Sequence, residues 1–386
     1  MTALLWAAIA LAILQEGDSV SVKPGAATVL PQLETQDPPF GVRLDRSHPW
    51  KGIVVERWRR EAPEVDWRVV WIDLEVANPG YVVSDFFYRR ESADGPPLQS
   101  ARAHTTVDFL MEHSGRERVD LAVNGVAFYP FPAFWRHPVF LEEPVWNKED
   151  QTRDTIPGSV MLGLFPGRAV IDSSENLRAA APEVALGAFL AGGSSPSKGV
   201  AVWNGQPIAN GEPPAARTLV GTSADGRILI LIVADGYHPG VSIGFTLDEA
   251  AQVLLAAGAQ DAIFLDGGGS ATLVARGDDG EPALLNRPAG LQKTPGTLRY
   301  VGASLGFTNL RRTDEPLPML TDWQAPAHVV RWNQVVVWWR VQKVYATTVI
   351  LGACLLAAGG LWGGRRIWKR RRTSGNQTSA DPGSAD

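Results

Sequence analysis

The 386-residue sequence contains a single cysteine, Cys354, and only six histidines. One cysteine excludes an internal disulfide and any zinc or iron–sulfur site that needs several thiolates. The histidines lack the spacing of metal ligands, so the sequence predicts no metal site and no cofactor, although it leaves room for a divalent cation beside acidic residues. Positive charge is also scarce, since 36 Lys and Arg stand against 41 Asp and Glu. The net charge of −5 argues against nucleic-acid binding, which needs a basic face.

An uncharged apolar run occupies residues 344–363, near the C-terminus. At about 1.5 Å per residue it is long enough to cross a hydrocarbon core of about 30 Å. Six basic residues follow it: Arg365, Arg366, Lys369, Arg370, Arg371 and Arg372. The positive-inside rule keeps this cluster cytoplasmic and places everything before residue 343 outside. We therefore predict a juxtamembrane segment at 309–343, a transmembrane helix at 344–363 and a basic cytoplasmic tail at 364–386. The alternative is a buried core helix.

Residues 1–14 resemble the apolar core of a signal peptide. The alternative is an uncleaved anchor, for which about a dozen apolar residues are too few. Either interpretation exports the middle of the chain, in agreement with the charges at the other end. Residues 15–50 contain several prolines and polar side chains, which predict a linker before the body of the protein at 51–308.

Strand patterns dominate this body. The predicted strands are 53–60, 67–76, 119–123, 228–234, 262–265, 272–276 and 298–307. Two helices are predicted, at 105–112 and from a capping box, Thr246 to Glu249, to about residue 257. Residues 130–158 lack periodicity and predict a long loop. Because strands outnumber helices, we predict an α+β fold with a mixed, mostly antiparallel sheet core and few helices, plus the one transmembrane helix.

The sharpest candidate site follows the buried strand at 262–265, where Asp266 precedes three glycines. Glycines let backbone N–H groups approach a ligand, and successive N–H groups in such a turn suit a phosphate or a developing oxyanion. The candidate binding groups here are Gly267, Gly268, Gly269, Ser270 and Thr272. The alternative is a tight turn that Asp266 merely caps.

A second acid, Asp235, follows the buried strand at 228–234. If the two strands are neighbours, both acids lie at one edge of the sheet. Carboxylate pairs hydrolyse glycosides, about 5 Å apart in retaining enzymes and further apart in inverting ones. The alternative is that Asp235 forms a simple turn.

Three further polar residues are candidates. Arg217, beside Thr218, could bind an anionic substrate through its fork of donors, although most arginines are surface cations. Asn124 ends the strand at 119–123 and could orient a sugar hydroxyl or only form its own turn.

Several ordered segments resemble the phosphodiester glycosidase family, the family of N-acetylglucosamine-1-phosphodiester alpha-N-acetylglucosaminidase. They are residues 216–218, 233–236, 244–250 and 265–272, together with Asn286 before Pro288 and Arg299 before Val301. Residues 123–128 resemble its Asn-Gly-Gly-Phe-Phe element, but Val126 replaces the second glycine and Ala127 is an insertion. The resemblance covers about residues 50–308 and suggests an exported member with a C-terminal membrane anchor.

The resemblance implies hydrolysis of a sugar 1-phosphodiester at its glycosidic bond, with a phosphate monoester as the leaving group, in a cell-surface or exported glycan. Asp266 is then expected as nucleophile or base, Asp235 as second acid, and Arg217 as a phosphate-binding group in the active site. Asn286 and Arg299 join the expected substrate-binding residues. The expected partners are a glycan or sugar phosphate and the membrane. The alternative function is a non-catalytic glycan- or phosphate-binding module, whereas a metal phosphodiesterase would need clustered ligands that the sequence lacks.

Overall fold

A computed structural model describes residues 41–89, 98–113, 117–149, 159–189, 199–209, 211–321, 323–336, 338–339 and 354. The predicted signal peptide, most of the predicted linker, the predicted transmembrane helix apart from Cys354 and the predicted basic tail lie outside these residues. No helix within the described ranges is long and apolar enough to span a bilayer.

The largest sheet contains eight antiparallel strands, whose order is β1-β2-β3-β17-β16-β18-β14-β15. Their bounds are β1 Val42–Trp50, β2 Ile53–Glu61, β3 Glu64–Asp73, β14 Val200–Trp203, β15 Gln206–Pro207, β16 Arg217–Thr222, β17 Ile228–Ala234 and β18 Asp261–Phe264. The continuous apolar run of β17 is buried along its whole length, as such a run predicts.

Three smaller antiparallel sheets complete the body. The first contains β4 Gly80–Val83, β7 Val119–Asn124, β19 Leu273–Arg276, β20 Pro282–Leu284 and β21 Ser304–Thr308. The second contains β5 Phe86–Arg89, β6 Leu98–Arg102, β8 Phe128–Tyr129 and β9 Pro138–Leu141, and the third contains β10 Val145–Asn147, β11 Val160–Phe165, β12 Arg168–Ser173 and β13 Val184–Gly187. One large apolar core, which includes Leu121, Val139, Leu164 and Leu231, joins all four sheets.

The helices are few and short. They are α1 Leu74–Ala77, α2 Thr106–Glu112, α3 Ser174–Ala180 and α4 Leu247–Ala256, with 3₁₀ turns at Gly268–Ser270 and Leu291–Lys293 and a helix at 327–336. Thr105 and Thr246 each complete a capping box with the acidic residue three positions later. This sheet-dominated α+β fold with mostly antiparallel strands confirms the prediction for the described part of the chain.

Three local predictions need correction. Residues 42–50, assigned to the linker, form β1 and pair with β2. The strand predicted at 67–76 ends at Asp73, because that side chain caps α1 by accepting from the N–H groups of Glu75 and Val76. The predicted loop at 130–158 contains β9 and β10, whose four and three residues are too few to show a period-two pattern.

Candidate active site

The two acids predicted for the site lie at the same edge of the large sheet. Asp235 directly follows β17, and Asp266 lies two residues after β18. These strands are not neighbours, because β16 lies between them and is antiparallel to both. β17 and β18 therefore run parallel to one another, and their carboxyl ends coincide without direct pairing.

The glycine turn after Asp266 is partly open to solvent and surrounded by polar side chains. Gly268 has a φ of +62°, a left-handed conformation that glycine adopts without strain. A Cβ atom there would lie 3.7 Å from the Tyr237 hydroxyl and 3.9 Å from Nη1 of Arg299. Gly268 thus faces a space that a phenol and a guanidinium share.

Asn124 is completely buried and is hydrogen-bonded to the start of this turn. Its Nδ2 donates to the backbone carbonyl of Asp266, and its Oδ1 accepts from the Thr218 hydroxyl at 2.8 Å and from the Thr272 N–H at 3.1 Å. The sequence predicted these residues as substrate-binding groups. In the structure their polar groups bond to one another and to the turn, so they fix the backbone of Asp266.

Asp235 lies in a buried cluster of charges. Its Oδ1 accepts from Asn286 Nδ2 at 3.0 Å and from the Arg287 N–H at 2.8 Å, while Oδ2 lies 3.8 Å from Nη1 of Arg68. Burial raises the pKa of Asp235 to about 6, and the nearby Asp66 adds to the rise while Arg68 opposes it. With an exposure of 4%, Asp235 is turned toward the interior.

Asn286 connects Asp235 to the glycine turn through hydrogen bonds. Its Nδ2 also donates to the carbonyl of Ala271 at 3.1 Å, and its Oδ1 accepts from the Leu273 N–H at 2.7 Å. Both acceptor and donor belong to the chain that leaves the turn. Asp235 and Asn286 therefore fix the far end of the turn, as Asn124 fixes its start.

Asp266 has a different electrostatic environment from Asp235. Burial raises the pKa of its carboxyl to about 6; Arg299 and a hydrogen bond from Ser270 oppose the rise, and Glu142 adds to it. The residue as a whole, backbone included, is nevertheless partly exposed to solvent. The second carboxylate that acts on Asp266 is therefore Glu142, whereas Asp235 responds to Arg68 and Asp66.

Arg299 is the cation that faces Asp266. Its Nη1 donates to Ser270 Oγ at 3.4 Å, and its guanidinium carbon lies 4.4 Å from the centre of the Phe131 ring. Burial lowers the pKa of Arg299, and the charges of Asp266 and Tyr237 raise it. A Cβ at Gly269 would overlap this guanidinium, so glycine permits its approach.

Arg217 lies at the start of β16, and two of its guanidinium nitrogens donate hydrogen bonds to backbone carbonyls. Nε donates to the carbonyl of Phe245 at 3.2 Å and Nη2 to that of Pro213 at 3.0 Å. Burial lowers the pKa of Arg217, while the negative charges of Tyr237 and Glu212 raise it. Arg217 is thus near Tyr237 but is anchored to the loops behind the turn.

Tyr237 was missed by the sequence analysis. It has a φ of +59°, which is uncommon for an aromatic residue, and such conformations cluster at functional sites. Lys293 Nζ lies 4.5 Å from the centre of its ring. Nothing in the sequence predicts this conformation; the available signal was the position of Tyr237 two residues after Asp235.

Glu142 was missed because it lies in the segment predicted as a long loop. Its N–H donates to the carbonyl of Ala127 at 2.9 Å, while the Asp266 N–H donates to the carbonyl of Gly125 at 2.9 Å. The short stretch 125–127 therefore brings the two acids near each other. This contact between distant parts of the sequence leaves no local pattern.

No group of three or more His, Cys, Asp or Glu side chains within the described ranges is arranged to hold a metal ion. The charged side chains near the glycine turn are instead those of Arg299, Lys293, Asp266 and Glu142. The site can therefore offer cations to an anionic group and a carboxylate of raised pKa to an adjacent reacting atom.

Residues 162–308 match the family model of the phosphodiester glycosidases. This match confirms the resemblance to the phosphodiester glycosidases over these residues. It contains the candidate residues from Arg217 to Arg299. No curated protein matches the sequence.

Two solved structures are similar to the fold. One is the catalytic domain of zebrafish N-acetylglucosamine-1-phosphodiester alpha-N-acetylglucosaminidase, auto-inhibited by its pro-peptide, with 15% identity over 74% of this chain and 87% of that chain and a TM-score of 0.44. The other is a hypothetical protein from Synechocystis, with 14% identity over 68% of this chain and 62% of that chain and a TM-score of 0.38.

The geometry of the turn predicts different effects for two glycine substitutions. We expect Gly268→Ala to lower the free energy of unfolding by about 1–2 kcal/mol, because alanine is strained at positive φ. We also expect it to weaken binding of glucose 1-phosphate at least about tenfold, because the added methyl group enters the space beside Arg299. Urea unfolding and isothermal titration calorimetry measure the two effects.

Gly240→Ala is the matched control. Gly240 has a φ of +79°, and a Cβ there would meet nothing within 4 Å. We expect it to lose similar stability and to bind the sugar phosphate like the parent protein. Equal binding by both variants would contradict the assignment of the space beside Gly268.

Proposed function

We propose that this protein hydrolyses a sugar 1-phosphodiester at the bond between the anomeric carbon and the phosphate oxygen. The observation that carries the proposal is the position of Asp266, a partly exposed residue with a carboxyl of raised pKa, at the start of the glycine turn and within the electrostatic reach of Arg299. The family match over residues 162–308 supports the reaction class.

The phosphate has a natural position beside the turn. Gly268, Tyr237 and Arg299 share one space, and Lys293 Nζ lies 4.5 Å from the centre of the Tyr237 ring. A phosphodiester carries one negative charge, which an arginine fork can bind through two oxygens. Cations at this place also stabilise the second negative charge that develops as the phosphate monoester leaves.

Asp266 then faces the anomeric carbon, where an oxocarbenium-like transition state develops positive charge. Its carboxylate acts as nucleophile or as the base that activates water. The phosphate monoester is a good leaving group, so protonation of the departing oxygen is less necessary than in an ordinary glycoside. Glu142 is the nearby carboxylate on the rim and can serve the water or a sugar hydroxyl.

Asp235, Asn286 and Asn124 act in this proposal as positioning residues. Asp235 is buried and its Oδ1 accepts hydrogen bonds from Asn286 and Arg287, so its effect on the reaction passes through Asn286 and the turn. This departs from the sequence-based expectation that Asp235 is the second acid at the substrate.

The proposal is tested by release of free sugar from glucose 1-(methyl phosphate) by the purified full chain in detergent. We expect turnover by the parent protein and a loss of at least about 10³-fold in kcat for Asp266→Asn, because a neutral amide of the same shape cannot stabilise positive charge. Circular dichroism checks that the variant is folded. Parent-level turnover by Asp266→Asn would refute its role, and sugar binding without any hydrolysis would favour a binding module.

The raised pKa of Asp266 predicts the pH dependence of the reaction. The carboxylate must be ionised, so kcat/KM should fall about tenfold between pH 7 and pH 5. Ser270→Ala removes a hydrogen bond that lowers this pKa, and should move the acidic limb to higher pH.

Unfolding does not account for such a loss. An aspartate whose pKa is higher in the folded state than its ordinary value of 3.8 favours the folded state at low pH, and this contribution disappears as the pH rises through about 6. Thermal midpoints measured over the same range provide the control. A flat kcat/KM profile from pH 5 to 8 would contradict the assignment.

We propose further that the catalytic domain is exported and held at the membrane by residues 344–363. The uncharged run and the basic cluster after it support this topology. We expect the full chain to remain in the membrane fraction after alkaline carbonate extraction. The double variant Ile350→Arg and Leu355→Arg should be extracted, because charged side chains are costly at the centre of a bilayer. Extraction of the parent chain would exclude the anchor.

A further inference from the structure

A cavity of about 530 Å³ lies between the helix at 327–336, with the residues just after it, and the body of the protein. Its lining is mostly apolar and includes Phe134, Leu291, Tyr300, Val335 and Trp338. The volume falls within the range of about 300–1,000 Å³ that is typical of small-molecule pockets. An apolar cavity of this size suits a hydrocarbon group.

The helical part of the lining forms a single stripe. Arg331, Gln334, Val335 and Trp338 are spaced by three, four and seven residues, which places them on one helix face. Val335 and Trp338 are each 54% exposed in the described part of the chain, although both are apolar. Contiguous exposed apolar surface is typical of binding sites for apolar ligands.

The opposite wall of the cavity is formed by residues that are close in sequence to residues of the candidate active site. Tyr300 follows Arg299 in the chain, and Phe134 lies three residues after Phe131, whose ring packs against the Arg299 guanidinium. The cavity wall and the phosphate-binding corner thus share two segments of chain.

Leu291 forms a third wall of the cavity, and it too is close in sequence to a residue near the phosphate site. Leu291 lines the cavity and begins the 3₁₀ turn that ends at Lys293. Lys293 Nζ lies over the Tyr237 ring, and the Tyr237 hydroxyl borders the space at Gly268. The turn at Leu291–Lys293 thus connects the cavity lining to the residues around the phosphate site.

We propose that this cavity binds a hydrocarbon chain esterified to the phosphate of the substrate, so that the substrate is a lipid-linked sugar 1-phosphodiester. This inference rests on the proposed function. The phosphate lies at Arg299, the sugar extends toward Asp266, and the hydrocarbon chain extends between Tyr300 and Trp338. The cations of Arg299, Lys293 and Arg331 match the charge of the phosphate at the head of such a chain.

The reaction then releases the lipid as a phosphate monoester. The bond between the anomeric carbon and its phosphate oxygen breaks, and its electron pair stays with that oxygen. The oxygen of water joins the sugar, one proton of water remains on the new hydroxyl, and the other is taken up by the phosphate monoester or the solvent. No oxidant or further reactant is needed.

Binding of the hydrocarbon chain can be measured without turnover. We compare geranyl phosphate with ethyl phosphate by isothermal titration calorimetry on the full chain in nonionic detergent. Geranyl phosphate should bind at least about tenfold more tightly, since each buried methylene contributes roughly a factor of three to four. Trp338→Ala and Val335→Ser should remove most of this difference and leave the affinity for ethyl phosphate unchanged.

Trp332→Ala is the matched control, because Trp332 belongs to the same helix and is 68% exposed but does not line the cavity. We expect it to bind both phosphates like the parent protein. Equal affinity of the parent for the two phosphates would overturn the proposal. An equal loss in Trp332→Ala and Trp338→Ala would also overturn it, since it would indicate attachment of the whole aromatic surface to detergent or bilayer.

Hydrolysis separates this proposal from the function on which it rests. We expect the parent protein to cleave glucose 1-(geranyl phosphate) with a kcat/KM at least about tenfold above that of the methyl ester, and Trp338→Ala to lower only the geranyl value. Equal cleavage of both esters overturns the lipid-linked substrate and leaves the glycosidase intact. Cleavage of neither ester, with the preference for geranyl phosphate retained, overturns the glycosidase and supports the hydrocarbon site.

Discussion

Two buried carboxamides, those of Asn124 and Asn286, determine where the glycine turn lies. Asn124 ends β7 in the five-stranded sheet, yet it bonds to Asp266 and Thr218 at the edge of the eight-stranded sheet. Asn286 joins Asp235 of the large sheet to Leu273, where β19 begins. Loss of one of these hydrogen bonds would leave a buried polar group unsatisfied, at a cost of about 1–3 kcal/mol. The two sheets are therefore held in one relative position at this point. The position of Asp266 relative to Arg299 depends on that arrangement.

The elements that could be predicted are those whose signal is local. The apolar run at Ile228–Ala234 and the capping box from Thr246 to Glu249 each specify one element through adjacent residues, and both elements form. β1 could not be separated from the linker, because most of residues 42–50 are polar and the contact between Trp50 and Arg312 depends on distant chain. The same holds for the insertion of β16 between β17 and β18.

The residues of the candidate site also divide into those with a local sequence signal and those that depend on distant parts of the chain. Asp266 and its glycines follow directly after a strand, so the sequence locates them, and Asn286 and Arg299 come from the family resemblance. The depth of Asp235 could not be predicted, since it depends on Arg68 and Asp66 of β3, more than 160 positions earlier in the chain. Tyr237 and Glu142 were missed because neither the left-handed backbone of the first nor the approach of the second to Asp266 has a local pattern.

The charge balance of the site explains why a partly buried aspartate and arginine can be retained together. Burial disfavours the charged form of each, as the raised pKa of Asp266 and the lowered pKa of Arg299 indicate, and each partly offsets the cost of the other. A phosphodiester adds a negative charge that competes with Asp266 for Arg299. The carboxylate stays ionised only if other donors take up that charge, and the open backbone at Gly268 borders the same space as Arg299. The glycine turn therefore does more than admit the ligand, since it lets Arg299 serve two anions at once.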